Sequence, residues 1–187
     1  GFFEGKLPAS DINLRAMMYA HIAAPGPAVD LHPRQFGGAA QNPANALAQI
    51  IAALKGPDGR VRIPGFYDDV RALTEEERAG LAGLPFDEER YIAELGVPAL
   101  VGEVGFTTLE RRGARPTLDV NGLWSGFQGD GAKTIIPAHA HAKVSCRLVT
   151  AQDPARIFES FKAFVDDIAP PGVTVTVQDL GGGFPSL

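Results

Sequence analysis

Apolar and polar residues alternate strictly along residues 139–149, after a glycine-rich turn and Pro137. Successive side chains of a β-strand point to opposite faces, so this pattern predicts a strand with one buried face and one polar face. Similar alternation predicts further strands over residues 13–23, 117–125 and 173–177. The polar face of the strand at 139–149 carries His139, His141, Lys143, Ser145 and Arg147.

Two segments with apolar residues at helical spacing begin with the same pair of signals. Asn42 precedes Pro43 in the first segment, and Asp153 precedes Pro154 in the second. Asn and Asp cap helix N-termini, and proline is favoured at the first helical position. The first segment is followed by a glycine and the second by two prolines, which predicts where each helix ends.

Residues 58–115 interrupt this simple order with Pro- and Glu-rich turns and two short predicted helices, around 74–83 and 87–95. We interpret this stretch as an insertion. Without it the order is strand, helix, strand, strand, helix, strand, which predicts an α+β, ferredoxin-like two-layer sandwich. Two helices cover one face of such a four-stranded antiparallel sheet, so we expect the histidine-bearing face to be the open one.

Composition narrows the function classes. The chain has 187 residues, a formal net charge of -5 and no basic run, which argues against a nucleic-acid-binding protein. No stretch is long and apolar enough for a membrane span, and no secretory signal is visible. Cys146 is the single cysteine. A single cysteine is typical of a reducing compartment and predicts a cytoplasmic location, and its place on the apolar strand face predicts a core residue.

Three local features are candidates for chemistry. His32 lies in a loop bracketed by glycines and prolines, where functional side chains often sit, although a histidine in such a loop is more often a surface bystander. His139 and His141 have a spacing compatible with two metal ligands, but no acidic or cysteine partner of obvious spacing accompanies them, which favours an ordinary polar strand face. The glycine-rich stretch before Lys133 and Thr134 does not have the spacing of a phosphate-binding loop.

Longer motifs carry a family resemblance that covers roughly residues 10–185. They are DLHPRQFGG, NPANALAQIIAALKGPDGRVRIPGFYDDV, FDEERYIAELGV, RPTLDVNGLWSGFQGDGAKTIIPAHAHAKVSCRLVTAQDPARI and PPGVTVTV. In order and spacing they resemble the lid, or dimerisation, domain of the M20 family of zinc metallopeptidases, and within it the cytosolic dipeptidase and carboxypeptidase-like members.

The resemblance implies that residues 1–187 form a single lid domain with an insertion at about 58–115. In this family the lid is inserted into a catalytic domain that holds two zinc ions, and that domain is absent from this chain. No H-x-D metal-binding motif occurs in the sequence. We therefore expect no cofactor in this chain, a homodimer in contact with its own catalytic domain, and no hydrolytic activity from the chain alone.

The resemblance also assigns roles to individual residues. His32 matches a histidine that reaches the partner subunit's active site and donates a hydrogen bond to the oxyanion. Thr134 matches a position that contacts substrate across the dimer, and Arg147 matches an arginine that holds the substrate's terminal carboxylate. The family usually continues Asp-Leu-His with Ser-Gly, whereas here Pro33 and Arg34 follow, which affects the aim of His32.

Two alternatives stay open at this point. The domain could be a purely structural dimerisation module in which His32 and Arg147 are idle, or a free-standing ferredoxin-like metal or ligand sensor that uses His139 and His141. The substrate of the leading hypothesis is a peptide or an N-acyl amino acid, and the sequence does not distinguish between them.

Overall fold

The protein is described here by a computed structural model, which defines residues 16–182. The four strands and the two longest helices follow the order strand, helix, strand, strand, helix, strand expected for the ferredoxin-like plan. Three shorter helices lie between the first long helix and the second strand. The elements are β1 (Met17–Pro25), α1 (Pro33–Phe36), α2 (Pro43–Leu54), α3 (Glu75–Ala82), α4 (Glu88–Leu95), α5 (Thr108–Ala114), β2 (Thr117–Ser125), β3 (His139–Arg147), α6 (Pro154–Ile168) and β4 (Thr176–Asp179).

The four strands form one antiparallel sheet in the order β2-β3-β1-β4. Helices α2 and α6 pack on one face of it, so the predicted two-layer α+β fold is confirmed. Small side chains on β1 and β3, such as Ala20, Ala140 and Ala142, are fully buried under the helices. Phe161 of α6 and Leu47 of α2 fill the space above them and are also buried.

The helix starts predicted from capping residues are confirmed. Oδ1 of Asn42 accepts a hydrogen bond from the backbone N–H of Ala44 at 2.9 Å, and Oδ1 of Asp153 accepts one from Ala155 at 3.0 Å. Thr74 and Glu77 form a reciprocal capping box at the start of α3. Each cap satisfies a backbone donor that the first turn of a helix leaves without a partner.

Some predicted boundaries differ from the observed ones. The predicted strand at 13–23 is observed as β1, and its first three predicted residues lie outside the described range. The strand predicted at 173–177 was placed too early, because only residues from Thr176 onward pair with β1, where Asp179 faces Ala20. Helices α1 and α5 were not predicted.

A one-residue bulge changes the alternation of β2. Val120 faces Val144 on β3, but Gly122 faces the very next residue, Lys143, so Asn121 is the extra residue. As a result Asp119 and Trp124, which are five positions apart, point to the same open face of the sheet. Trp124 lies beside His141 there.

The segment 58–115 is anchored in the core near its start and closed on itself by an ion-pair network. Near its start, Val61, Ile63 and Phe66 are buried in the main core cluster. Near its end, the carboxylate of Glu103, only 8% exposed, accepts hydrogen bonds from Arg115 Nε at 2.8 Å and Nη2 at 2.6 Å, and from Arg60 Nη1 at 3.2 Å. This ion-pair network ties the start of the segment, at Arg60, to its end, at Arg115.

Among residues 16–182, no helix is long and apolar enough to cross a membrane.

Candidate functional site: two ends of one sheet

The loop that carries His32 is fastened to the chain entering β3. Leu31 and Ile136 form an antiparallel bridge in which each backbone N–H donates to the other's carbonyl at 2.9 Å. The carboxylate of Asp30 accepts a further bond from the N–H of Ala138 at 2.9 Å. These contacts hold His32 at the end of the sheet where β1 finishes and β3 begins.

The imidazole of His32 is oriented by its own chain. His32 caps α1, and its Nδ1 accepts a hydrogen bond from the backbone N–H of Arg34 at 3.2 Å. Pro33, which has no N–H, occupies the first helical position and keeps the backbone of His32 extended. With Nδ1 as the acceptor, the proton of the neutral ring lies on Nε2. The exposed side chain therefore presents an N–H donor away from the loop.

Thr134 lies at the same end of the sheet as His32. It precedes Ile136 by two residues, while His32 follows Leu31 by one, so the Leu31–Ile136 bridge places the two residues at the same end of the sheet. Thr134 is exposed. The structure thus brings together two of the three residues singled out in the sequence.

Arg147 lies at the opposite end of the sheet. It is the last residue of β3, where it pairs with Met17 and Thr117, and its side chain is on the open face. His139 and Arg147 are the first and last residues of the nine-residue strand β3, so eight residue steps, or about 27 Å, separate their levels. Among residues 16–182, Arg147 forms no ion pair, so its guanidinium has no carboxylate partner there.

Arg147 lines a cavity of about 1080 Å³ between this end of the sheet and the segment 58–115. The walls come from the start of β2, the end of β3, the C-terminal end of α2 and helix α5. Five cationic and two acidic side chains take part, which gives the wall a formal charge of +3 in a chain whose net charge is -5. They are Lys55, Arg111, Arg112, Arg115, Arg147, Glu103 and Asp119.

The open face between the two ends carries a cluster of rings. Nε2 of His21 lies 2.9 Å from Nδ1 of His141, the rings of His141 and Trp124 are stacked with centroids 5.0 Å apart, and His139 is 5.0 Å from His141. Burial, together with the charges of His139 and His21, lowers the pKa of His141. No group of three or more potential metal ligands is found among residues 16–182, so the described part of the chain does not fit a zinc centre.

Sequence analysis did not single out His21 or Trp124. His21 stands on the polar side of the predicted first strand, which was the available signal. Cys146 is on the other, helix-covered face and is fully buried. Burial, followed by the charge of Asp119, raises the pKa of its thiol to about 12, so the thiol is protonated and unreactive at neutral pH.

Comparison with known families agrees with this architecture. Residues 12–173 match the family model described as "Peptidase dimerisation domain", of the M20 peptidases. The chain is 32% identical over 163 residues to the Cys-Gly metallodipeptidase dug1 of Schizosaccharomyces pombe, which covers 87% of this chain and 34% of that protein. It thus spans about a third of the length of this curated relative.

Solved structures give the same result. An M20 family metallo-carboxypeptidase, Sso-CP2 from Sulfolobus solfataricus, superposes with a TM-score of 0.78 and 35% identity, covering 89% of this chain and 43% of that one. The dipeptidase Dug1p from Saccharomyces cerevisiae superposes with a TM-score of 0.80 and 27% identity, covering 93% of this chain and 38% of that one. The chain therefore belongs to the M20 peptidase family, as a dimerisation domain of that family.

Proposed function

We propose that the chain is the dimerisation and substrate-cleft lid domain of a zinc-dependent, cytoplasmic M20 di- or exopeptidase. Its relatives are longer metallodipeptidases of which the chain covers only about a third, which leaves room for a catalytic domain elsewhere in the intact protein. The two zinc ions belong to that domain, since residues 16–182 hold no cluster of metal ligands. On this proposal the chain alone hydrolyses no peptide.

The position of the two ends of the described range supports a role for Arg147 within its own subunit. Ala16 accepts a backbone bond from Leu148 at 2.8 Å, and a Cβ at Gly182 would collide with the Met17 carbonyl. Residues 16 and 182 are therefore neighbours at the Arg147 end of the sheet. On this proposal, a catalytic domain that packs against this end of the sheet lies next to Arg147 of the same chain.

His32 and Thr134, in contrast, are directed to a partner subunit. Strand β2 is at the edge of the sheet and carries two exposed apolar side chains, Val120 (39% exposed) and Leu123 (61% exposed). Edge strands offer unpaired backbone groups, and two copies related by a two-fold axis pair such strands antiparallel. This pairing brings the His32 end of one sheet beside the Arg147 end of the other.

Each residue has a side chain suited to its proposed role. The Nε2–H of His32 donates to the oxyanion that develops on the scissile carbonyl, and its hydrogen bond from Arg34 fixes the direction of that donor. The guanidinium of Arg147, which lacks an ion-pair partner among the described residues, binds the substrate's terminal carboxylate in a bidentate manner. Thr134 offers a hydroxyl at the same end of the sheet as His32.

The separation of about 27 Å between the His32 and Arg147 ends of the sheet is the observation that carries this proposal. A dipeptide is far shorter than this distance, so the two residues of one chain cannot bind the same substrate molecule. A working site must therefore combine His32 and Thr134 of one subunit with Arg147 and the metals of the other.

Mixing subunits tests this arrangement in the full-length enzyme. One population carries His32→Ala, and the other carries a substitution that abolishes its metal site. Each homodimer should be nearly inactive, whereas heterodimers should recover one working site from the intact halves. Heterodimers that form but recover no activity would contradict the role across the dimer, and an unchanged kcat in His32→Ala homodimers would favour a purely structural domain.

A further inference from the structure

The segment 58–115 supplies a second unpaired guanidinium to the cavity that Arg147 lines. Arg111, on α5, is half-buried, and its Nε donates to the backbone carbonyl of Glu103 at 2.9 Å. The carboxylate of Glu103 is already occupied by Arg115 and Arg60. Within residues 16–182, Arg111 therefore has a backbone partner but no carboxylate partner.

The side chain of Arg111 is held in place by close packing. A Cβ built on Gly102 would lie 2.6 Å from Cδ and 2.9 Å from Nε of Arg111, so the arginine passes directly over this glycine. The Nε hydrogen bond and this contact fix the stem and leave the two terminal nitrogens free. A guanidinium held this way loses little conformational freedom when it binds an anion.

Arg111 and Arg147 thus line one cavity from two sides, and the wall has a formal charge of +3. The geometry points to a subsite for an acidic side chain: Arg147 binds the terminal carboxylate of the substrate, and Arg111 pairs with a second carboxylate on its C-terminal residue. The preferred substrates are then dipeptides that end in glutamate or aspartate. This assignment rests on the proposed function through Arg147 and gives the segment 58–115 a role in specificity.

Kinetics of the full-length enzyme on Ala-Glu and Ala-Gln test the assignment, because the two dipeptides differ in one charge and hardly in size. Arg111→Gln should lower kcat/KM for Ala-Glu on the order of 10- to 100-fold, the typical effect of losing a charge-assisted hydrogen bond. The same variant should change kcat/KM for Ala-Gln less than about twofold, since no ion pair is lost there. Arg90→Gln is the matched control, because Arg90 lies on α4, pairs with Glu94 and does not line the cavity.

Gly102→Ala gives a second variant that keeps the charge of Arg111 but displaces its side chain. It should show the same selective loss on Ala-Glu. Equal losses on both dipeptides, or no loss on either, would overturn the subsite. A third outcome separates this subsite from the proposed function. If Arg147→Gln leaves kcat/KM unchanged for both dipeptides while Arg111→Gln still lowers it only for Ala-Glu, Arg147 does not bind the terminal carboxylate, but Arg111 does select for the acidic side chain.

Discussion

His21 and His141 share one hydrogen bond across neighbouring strands, with Nε2 of the first 2.9 Å from Nδ1 of the second. One ring must donate and the other accept, so the contact requires a neutral ring at one of the two positions. Lys143 and His139 on the same face add positive charge nearby. Protonation of His141 is therefore unfavourable in the folded chain, as its lowered pKa also indicates.

We predict that this cluster makes the fold less stable in mild acid. Because the pKa of His141 is lower in the folded chain than its ordinary value of 6.5, the unfolded chain binds the proton first as the pH falls. The free energy of unfolding should therefore decrease below about pH 6.5, and His141→Gln should flatten this dependence. Thermal unfolding of both proteins between about pH 8 and pH 5 measures this pH dependence of stability. Ser145→Ala, on the same strand face, is the control, and parallel curves for His141→Gln and the native chain would contradict the prediction.

A second prediction concerns the ion-pair network of Glu103. Replacing Glu103 by Gln leaves the buried Arg115 without its charge partner, which typically costs about 3 kcal/mol in the free energy of unfolding. Glu94→Gln breaks an exposed pair with Arg90 of similar length and should cost less than about 1 kcal/mol. Urea unfolding of the two variants compares them directly. Similar losses would show that burial of the Glu103 network does not matter.

A third prediction concerns the dimer. Leu123→Lys places a charge among the exposed apolar residues of β2 and should shift the chain toward monomer in sedimentation experiments. Thr176→Lys makes the same charge change on β4, the other edge strand, and should leave association unchanged. Loss of the dimer with Thr176→Lys instead would assign the interface to the opposite edge.

A fourth prediction separates the two roles in catalysis. In the full-length enzyme, His32→Ala should lower kcat on the order of 100- to 1000-fold with little change in KM, because an oxyanion donor acts mainly in the transition state. Arg147→Ala should mainly raise KM, because the terminal carboxylate is already charged in the bound substrate. Steady-state measurements of kcat and KM for both variants on one dipeptide test these two expectations. A dominant KM effect at His32 would contradict its assignment.

A fifth prediction is that the isolated chain binds no stoichiometric zinc. Among residues 16–182 no third ligand of suitable geometry joins His139 and His141. Metal analysis after dialysis should find less than one ion per chain. One tightly held ion that is lost in His141→Ala would instead support the metal-sensor alternative.

Local signals account for the parts of the fold that could be predicted. Asn42 and Asp153 predict the starts of their helices correctly, because each cap is a hydrogen bond between residues two positions apart and is therefore visible in the local sequence. The capping box of Thr107 and Glu110 gives the same kind of signal for α5, which was overlooked. The start of β4 could not be predicted from Val173–Val177 alternation, because pairing with β1 decides it.

The candidate site depended more on contacts between distant residues. The resemblance supplied His32, Thr134 and Arg147, and the Leu31–Ile136 bridge puts the first two at the same end of the sheet. No local pattern encodes that bridge, whose partners are far apart in the sequence. The cavity beside Arg147 likewise depends on how the segment 58–115 folds back over β2.

The bulge at Asn121 lets β2 carry one residue more than the facing part of β3 without changing which side chains face the helices. Deleting Asn121 would leave Val120 opposite Val144 and Gly122 opposite Lys143 in a regular ladder, so Trp124 would stay beside His141. In a strand without a bulge, the same deletion would exchange the two faces for every later residue. The bulge is thus a spare position, at which the strand can lose one residue and keep both of its surfaces.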